Sequence, residues 1–285
     1  MHKKFIEGIL YTVDRDPIPS KNTKTTSVTT LAIDTTETIL VVGCDDGRAC
    51  VIRTSDGTIL RYLNKHKMSI NDVCIHPSNE TCATVGMDMH ICVWHLPSGQ
   101  HARYFSPTKS CVLSADFYNP GQVHVIGDRR GNVAFVDVAS EESVIVDVEG
   151  SVIDIAVDNA SENVYVCRDM KPALMLNRDG DIVQEMEFEA DCVCILDDSV
   201  LFGMQNSVIN AEGEIVAEFE SKVKKLCVYN NNYAVLCKDT SVYLSDQDII
   251  VTDAHNSVIR AHDIAVASNR VYLATESGVV RFDID

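Results

Sequence analysis

The sequence predicts an all-β fold in which seven four-stranded antiparallel sheets close into a ring, a seven-bladed β-propeller. Strand-like apolar runs recur in units of about 41 residues from residue 28 onward, a period typical of propeller blades. The seventh unit stops after its third strand, at residues 279–284. A spare strand-like run occupies residues 5–13, and we expect it to complete the last blade, because a closed ring leaves no sheet edge open there.

Short turns between the third and fourth strands mark the units in order. Four of them contain a glycine, which accepts a positive φ without steric cost; these are Ser55-Asp56-Gly57, Pro97-Ser98-Gly99, Asn177-Arg178-Asp179-Gly180 and Ala211-Glu212-Gly213. The strands at 39–42, 133–138 and 164–166 are rich in β-branched and aromatic residues, and no long stretch has helical periodicity. No linker interrupts the repeat, so the sequence predicts one domain over residues 1–285 with almost no helix.

Charge and cysteine content narrow the classes of function. The chain has 24 Lys and Arg against 42 Asp and Glu, a formal charge of −18, which argues against nonspecific nucleic-acid binding by the whole surface. Eleven cysteines, an odd number, are scattered mainly through strand-like runs, and no secretory signal or membrane-length apolar segment is found. We expect an intracellular protein of the cytoplasm or nucleus with no membrane partner.

One unit carries a specific motif. It contains His66, the run INDVCI at 70–75, Asp88, and Trp94 at the end of an apolar strand. This pattern resembles a WD40 repeat. The resemblance implies that His66, Asp72, Asp88 and Trp94 form one hydrogen-bonded chain, with Asp72 in the usual Ser or Thr place. A buried indole N–H and a buried imidazole need such partners.

The predicted inner strands give little support for catalysis. They offer Asp72, Asp116 and Asp154 but no ring of histidines and no paired glutamates, and no Gly-rich phosphate loop occurs in the chain. We expect these acids to bind backbone groups within the blades. The sequence therefore predicts no catalytic residue, no cofactor and no metal ligand. A metal-dependent propeller hydrolase remains an alternative, because a fold does not fix a function.

Charge placement favours an interaction surface. In the WD40-like arrangement, the loops from a fourth strand to the next first strand, and from a second to a third strand, emerge on one face, the top. Exposed loops on a rigid scaffold commonly carry recognition, and the longest of these spans residues 14–27. Glu141 and Glu142 lie with many other acids on the opposite face. The predicted partner-binding residues are Arg15, Lys21, Lys24, Lys65, Lys67, Lys109, Arg129, Arg130, Arg168, Lys222 and Lys224.

The sequence thus predicts a non-enzymatic scaffold or docking subunit of a multi-subunit complex. Its top face would bind an acidic or phosphorylated segment of another protein, and we expect no small-molecule substrate. The alternative is a subunit of a nucleic-acid-associated complex whose basic loops contact RNA or DNA backbone.

Overall fold

The computed structural model describes residues 2–6, 9–11, 26–118, 123–197, 199–253 and 260–284, with backbone alone for 2–6 and 247–253. Every regular element in these ranges is a β-strand, and the strands form seven sheets. The predicted all-β, seven-bladed propeller is confirmed. The described part of the chain contains no helix of the length and apolarity that a membrane crossing requires.

Each blade takes four antiparallel strands, numbered in chain order. Blade one contains β3 (Val28–Ile33), β4 (Ile39–Cys44), β5 (Arg48–Arg53) and β6 (Ile59–Asn64). Blade two contains β7 (Ile70–Ile75), β8 (Thr81–Gly86), β9 (Ile91–His95) and β10 (Gln100–Phe105). Blade three contains β11 (Val112–Phe117), β12 (Val123–Asp128), β13 (Asn132–Asp137) and β14 (Ser143–Asp147). Blade four contains β15 (Val152–Asp158), β16 (Asn163–Arg168), β17 (Lys171–Leu176) and β18 (Ile182–Glu189).

Two of the remaining three blades also take in the N-terminal strands. Blade five contains β19 (Cys192–Leu196), β20 (Ser199–Met204), β21 (Ser207–Asn210) and β22 (Ile215–Glu218). Blade six contains β23 (Val223–Tyr229), β24 (Asn232–Cys237), β25 (Val242–Leu244) and β26 (Gln247–Asp253), with β1 (His2–Ile6) added outside β26. Blade seven contains β27 (Ala261–Ala267), β28 (Arg270–Thr275), β29 (Gly278–Asp283) and β2 (Ile9–Tyr11).

The N-terminus closes the ring, as predicted, although through a shorter strand. β2 pairs antiparallel with β29 and supplies the fourth strand of blade seven. The prediction of one strand over 5–13 was wrong in extent. Phe5 and Ile6 belong to β1, which pairs parallel with β26 of blade six. Residues 12 and 13 lie outside the described ranges.

The core lies between blades rather than within them. Buried apolar side chains form seven clusters, and each cluster joins two neighbouring blades, including blade seven with blade one. A four-stranded blade cannot bury either face alone, so stacking each blade on its neighbours is what removes its apolar surface from water.

A bulge recurs at the second residue of the first strand in six blades, in all except blade five. A bulge places two residues opposite one on the partner strand and redirects the following side chain. In blades one to four the residue after the bulge is Thr30, Asp72, Ser114 or Asp154, and in blades six and seven it is Lys225 or Asp263. In these six blades the bulges therefore bring one polar position to the central channel.

Candidate functional site

The WD40-like motif of blade two forms a buried hydrogen-bonded chain. The indole Nε1 of Trp94 donates to the hydroxyl of Thr84 at 2.9 Å. The same hydroxyl lies 2.9 Å from Nε2 of His66, and Nδ1 of His66 lies 2.9 Å from a carboxylate oxygen of Asp88. All four groups are satisfied when Trp94 donates to Thr84, Thr84 to His66, and His66 to Asp88.

Asp88 ties this chain to the top loops of the blade. Its carboxylate also accepts from the backbone N–H of Lys67 at 2.9 Å and from the hydroxyl of Tyr104 at 3.3 Å. Burial alone would raise the pKa of Asp88, but the hydrogen bonds from His66 and the Lys67 backbone prevail and hold it at about 2. The loop before β7 and the turn after β8 are therefore fixed to each other.

Asp72 is not part of this chain, so its predicted place was wrong. Thr84, on the second strand of the blade, supplies the hydroxyl that connects His66 to Trp94. Asp72 instead faces the channel, where its carboxylate accepts from Ser114 Oγ at 3.1 Å and from the backbone N–H of Ala115 at 2.9 Å. The bulge before Asp72 turns its side chain toward the neighbouring blade.

The same contact recurs around the channel and joins successive blades. The Asp263 carboxylate accepts from the backbone N–H of Leu31 at 3.1 Å, and the Asp154 carboxylate accepts from that of Val193 at 3.0 Å. First strands are blade edges whose backbone groups have no ladder partner on one side, and these acceptors satisfy them.

Asp116, two residues after Ser114 on β11, makes a similar connection from blade three to blade four. Asp116 accepts from the backbone N–H groups of Phe117 and Val157, each at 2.8 Å. Burial raises the pKa of Asp116 to about 7, against the two hydrogen bonds, which lower it. Burial likewise raises the pKa of Asp72 to about 6, with the positive charge of Lys225 opposing that shift.

Lys225 brings a positive charge to the channel acids. Its Nζ lies 2.9 Å from Asp154, and its side chain is 29% exposed because it borders the channel. Burial would lower the pKa of Lys225, but the charges of Asp154, Asp263 and Asp72 outweigh burial and raise it well above its usual value. Sequence reasoning missed Thr84, Lys225 and Asp263. The available signal for Lys225 and Asp263 was the polar residue that recurs at the third position of successive first strands.

The channel acids bind backbone and hydroxyl groups, as expected for Asp72, Asp116 and Asp154. Within the described ranges, no group of three or more His, Cys, Asp or Glu side chains is arranged to hold a metal ion. The channel acids connect neighbouring blades through these hydrogen bonds.

The predicted top-face cations divide into three groups. Arg15, Lys21 and Lys24 lie outside the described residues. Lys67, Lys109, Arg129 and Arg130 are exposed, and the half-buried Lys65 places its Nζ 5.1 Å from the centre of the Tyr104 ring. The others, Lys222, Lys224 and Arg168, are engaged within the protein.

Arg168 is a structural residue, so its predicted role in partner binding was wrong. It is 5% exposed and donates to the carbonyl oxygens of Val148 and Pro172 and to the carboxylate of Glu185. A guanidinium can be buried at low cost only when its donors are satisfied in this way. Lys222 pairs with Asp191 at 2.8 Å, and Lys224 lies in β23, where its Nζ donates to the carbonyl of Ala261.

The exposed cations lie on connected loops of blades two and three. Met87 N donates to the carbonyl of Ser69 at 2.9 Å, and Cys111 Sγ donates to the carbonyl of Met87 at 3.3 Å. Arg129 N donates to the carbonyl of Cys111 at 3.0 Å. These bonds join the loops 65–69, 87–90, 106–111 and 129–131 into one surface, which we call the blade 2–3 sector.

The blade 2–3 sector has a charge opposite to that of the whole chain. Its four loops carry Lys65, Lys67, Lys109, Arg129 and Arg130, whereas Asp88 is their one acid and is 7% exposed. The protein as a whole has a formal charge of −18. The predicted basic ring is thus a basic sector among the described top loops, because the loops of blades four to six carry acids such as Asp169 and Asp191.

Exposed methionines share this sector, a feature that sequence reasoning missed. Met68, Met87 and Met89 are 51%, 37% and 41% exposed. Methionine is flexible and polarizable, and it adapts to partner surfaces. The sequence signal was their position in the loops that flank His66 and Asp88.

Comparison with known proteins agrees with this architecture. The family model "WD domain, G-beta repeat" matches residues 17–53 and 57–95. A p21-activated protein kinase-interacting protein 1-like protein of Gallus gallus is 32% identical over 63 residues. That alignment covers 22% of this chain and 17% of the relative. The fold is thus a seven-bladed β-propeller, and its first two blades are similar in sequence to WD40 repeats.

Proposed function

We propose that this protein is a non-enzymatic docking subunit of an intracellular protein assembly, and that its blade 2–3 sector binds an acidic or phosphorylated segment of a partner. One observation carries the proposal. On a chain with a formal charge of −18, four hydrogen-bonded top loops bring together five cations against one buried acid.

The mechanism is rigid presentation of charge. Arg129 and Arg130 offer planar guanidinium groups that pair with carboxylate or phosphate through two hydrogen bonds, while lysines act as point charges. The buried chain from Trp94 to Asp88 fixes the backbone of two of the loops before a partner arrives, which lowers the ordering cost of binding. The acidic remainder of the surface repels an acidic partner and directs it to this sector.

Two further findings support a protein partner inside the cell. The relative from Gallus gallus is named for interaction with a p21-activated protein kinase, so such a kinase is a first partner to test here. All eleven cysteines are free thiols and eight of them are buried, which suits a reducing compartment.

Charge reversal on the two faces tests the proposal. The variant Arg129→Glu with Arg130→Glu should weaken binding of a fluorescent glutamate-rich peptide and its phosphoserine form by at least about tenfold, or 1.4 kcal/mol. The matched control, Glu141→Lys with Glu142→Lys, should change the affinity by less than about twofold. Thermal unfolding should stay nearly the same in both, because exposed charges contribute little to stability.

The affinity of the wild-type protein should also fall as salt rises, since screening acts on exposed charges. Equal losses in both double variants would contradict the proposal. An RNA oligonucleotide that binds more tightly than either peptide, with loss in the arginine variant, would favour the nucleic-acid alternative instead.

A further inference from the structure

The outer edge of blade three is formed by a regularly paired strand. β14 pairs with β13 over five residues in an uninterrupted register from Ser143 to Asp147. The outer strands β6, β10, β18 and β22 each show a register shift against the third strand of their blade. β26 also shows one, but its edge is covered by β1, and β2 pairs with β29 over only three residues without a shift. Such irregularities protect sheet edges from pairing with another chain. β14 lacks that protection.

The hairpin fixes which backbone groups of β14 face outward. Asp137 N donates to the carbonyl of Glu142 at 2.9 Å, and Val148 N donates to the carbonyl of Gly131 at 2.7 Å. Residues 142, 144, 146 and 148 therefore bond to β13, because bonded and non-bonded positions alternate in an antiparallel pair. The N–H and C=O groups of Ser143, Ile145 and Asp147 point away from the sheet.

Apolar side chains are exposed along the same edge. Val144 is 58% exposed and Ile145 is 49% exposed, in a run of three β-branched residues. A cleft of about 560 Å³ opens beside the start of β14 and is lined in part by Phe135, Val144 and Glu142. An added strand uses main-chain hydrogen bonds and side-chain contacts, and this edge offers both.

Acidic groups surround the start of β14. Asp137 and Glu142 line the cleft, and so does Asp179 from the turn of blade four. Arg178, the cation of the cleft lining, is paired with Glu162 at 2.6 Å. An extended segment that begins here would be favoured by positive charge at its start.

In blade six, an added strand already covers the edge of the fourth strand. β1 lies parallel to the outer strand β26, with His2 opposite Ile249, near the start of that strand. The sequence of β1 is HKKFI, two lysines followed by two apolar residues, and β26 begins after a turn that contains Asp246. The fold thus accepts a fifth, parallel strand whose basic end starts beside an acidic turn.

We propose that the outer edge of blade three, formed by Ser143, Ile145 and Asp147, is a second docking site that binds an extended segment of a partner protein as a parallel fifth strand. The segment has lysine or arginine at its N-terminal end, beside Glu142 and Asp179, followed by alternating β-branched and apolar residues. This site is separate from the blade 2–3 sector and does not depend on the function proposed for it.

The test uses a fluorescent peptide of two lysines followed by alternating valine, threonine and isoleucine, with the full chain. Ile145→Pro removes an outward N–H and breaks no bond to β13, and proline is tolerated at sheet edges. This variant should bind the peptide at least about tenfold more weakly, with its unfolding temperature nearly unchanged. The control Ile145→Thr keeps the N–H and a β-branched side chain, and it should lose only about two- to threefold.

Two readouts test the geometry. A peptide of the same composition with its lysines at the C-terminal end should bind several-fold more weakly if pairing is parallel. Amide hydrogen exchange should show new protection at Ser143, Ile145 and Asp147 when the first peptide binds. Equal affinity of Ile145→Pro and wild type, or stronger binding of the reversed peptide, would overturn the proposal. So would a dimer of the free chain that Ile145→Pro abolishes, since a second copy would then be the occupant.

Discussion

The hydroxyl of Thr84 connects the indole of Trp94 to the imidazole of His66, and through it to Asp88. All four side chains are buried. His66, Asp88 and Trp94 are recognisable from residue type and spacing along the chain. Thr84 is not, because one threonine in an apolar strand resembles any other β-branched residue until the neighbouring strand brings Trp94 within 2.9 Å of it.

Thr84→Val should therefore destabilise the protein by about 1–3 kcal/mol, because the substitution keeps the shape but leaves a buried indole N–H and a buried imidazole nitrogen unsatisfied. Chemical unfolding followed by the fluorescence of Trp94, the one tryptophan of the chain, measures the change. Thr81→Val, at the half-buried start of the same strand, is the matched control and should cost much less. Equal effects of the two substitutions would contradict this account of the chain.

At the scale of elements, the N-terminal strands perform two different tasks. β2 completes blade seven, and the hydroxyl of Tyr11 lies 2.6 Å from Arg281 of β29. The Tyr11 ring also fills the space beside Gly57, where an added Cβ would lie 2.2 Å from it and where φ is +74°. β1 adds a strand to a blade that already has four.

Removal of residues 1–11 should lower the free energy of unfolding by on the order of 2–4 kcal/mol and cause aggregation, because it exposes the edge of β29 and leaves Arg281 without the Tyr11 hydroxyl. Removal of residues 1–6 alone leaves β2 in place and should cost less. Thermal unfolding with size-exclusion chromatography of both truncations measures the difference. Equal stability of the wild type and the longer truncation would show that β2 does not close the ring.

At the scale of the whole molecule, the channel joins the blades through a ring of acids balanced by Lys225. Since Asp72 and Asp116 have native pKa values of about 6 and about 7, against about 3.9 in an unfolded chain, the native state binds more protons between those values. Stability from these two groups should therefore fall as pH rises from about 4 to about 7, and then stay constant.

Asp116→Asn should make this decline smaller, because it removes one of the two titrations. Urea unfolding at about pH 4.5, 6 and 7.5 measures the slope, which is informative whatever the substitution costs at any single pH. Asp179→Asn, on an exposed turn, is the control and should retain the slope of the wild type. A slope in Asp116→Asn as steep as that of the wild type would refute the proposed titration of Asp116.

The sequence by itself determined the repeat, the number of blades and the use of an N-terminal strand for closure. These follow from local pattern: alternating apolar residues form strands, and glycine turns punctuate them. The sequence also predicted that His66, Asp88 and Trp94 belong to one hydrogen-bonded chain, because their residue types and spacing are set within one repeat.

The tertiary structure alone decided which charged groups are available and which are engaged. Arg168 and Arg130 are both arginines of second-to-third strand regions, yet Arg168 is buried among carbonyl groups and Arg130 is exposed. Bulges turned Asp72 and Lys225 into the channel, and the register of β14 directed Ile145's backbone outward. These outcomes depend on contacts between separate segments of the chain, such as that of Arg168 with Val148, 20 positions away, which strand periodicity does not encode.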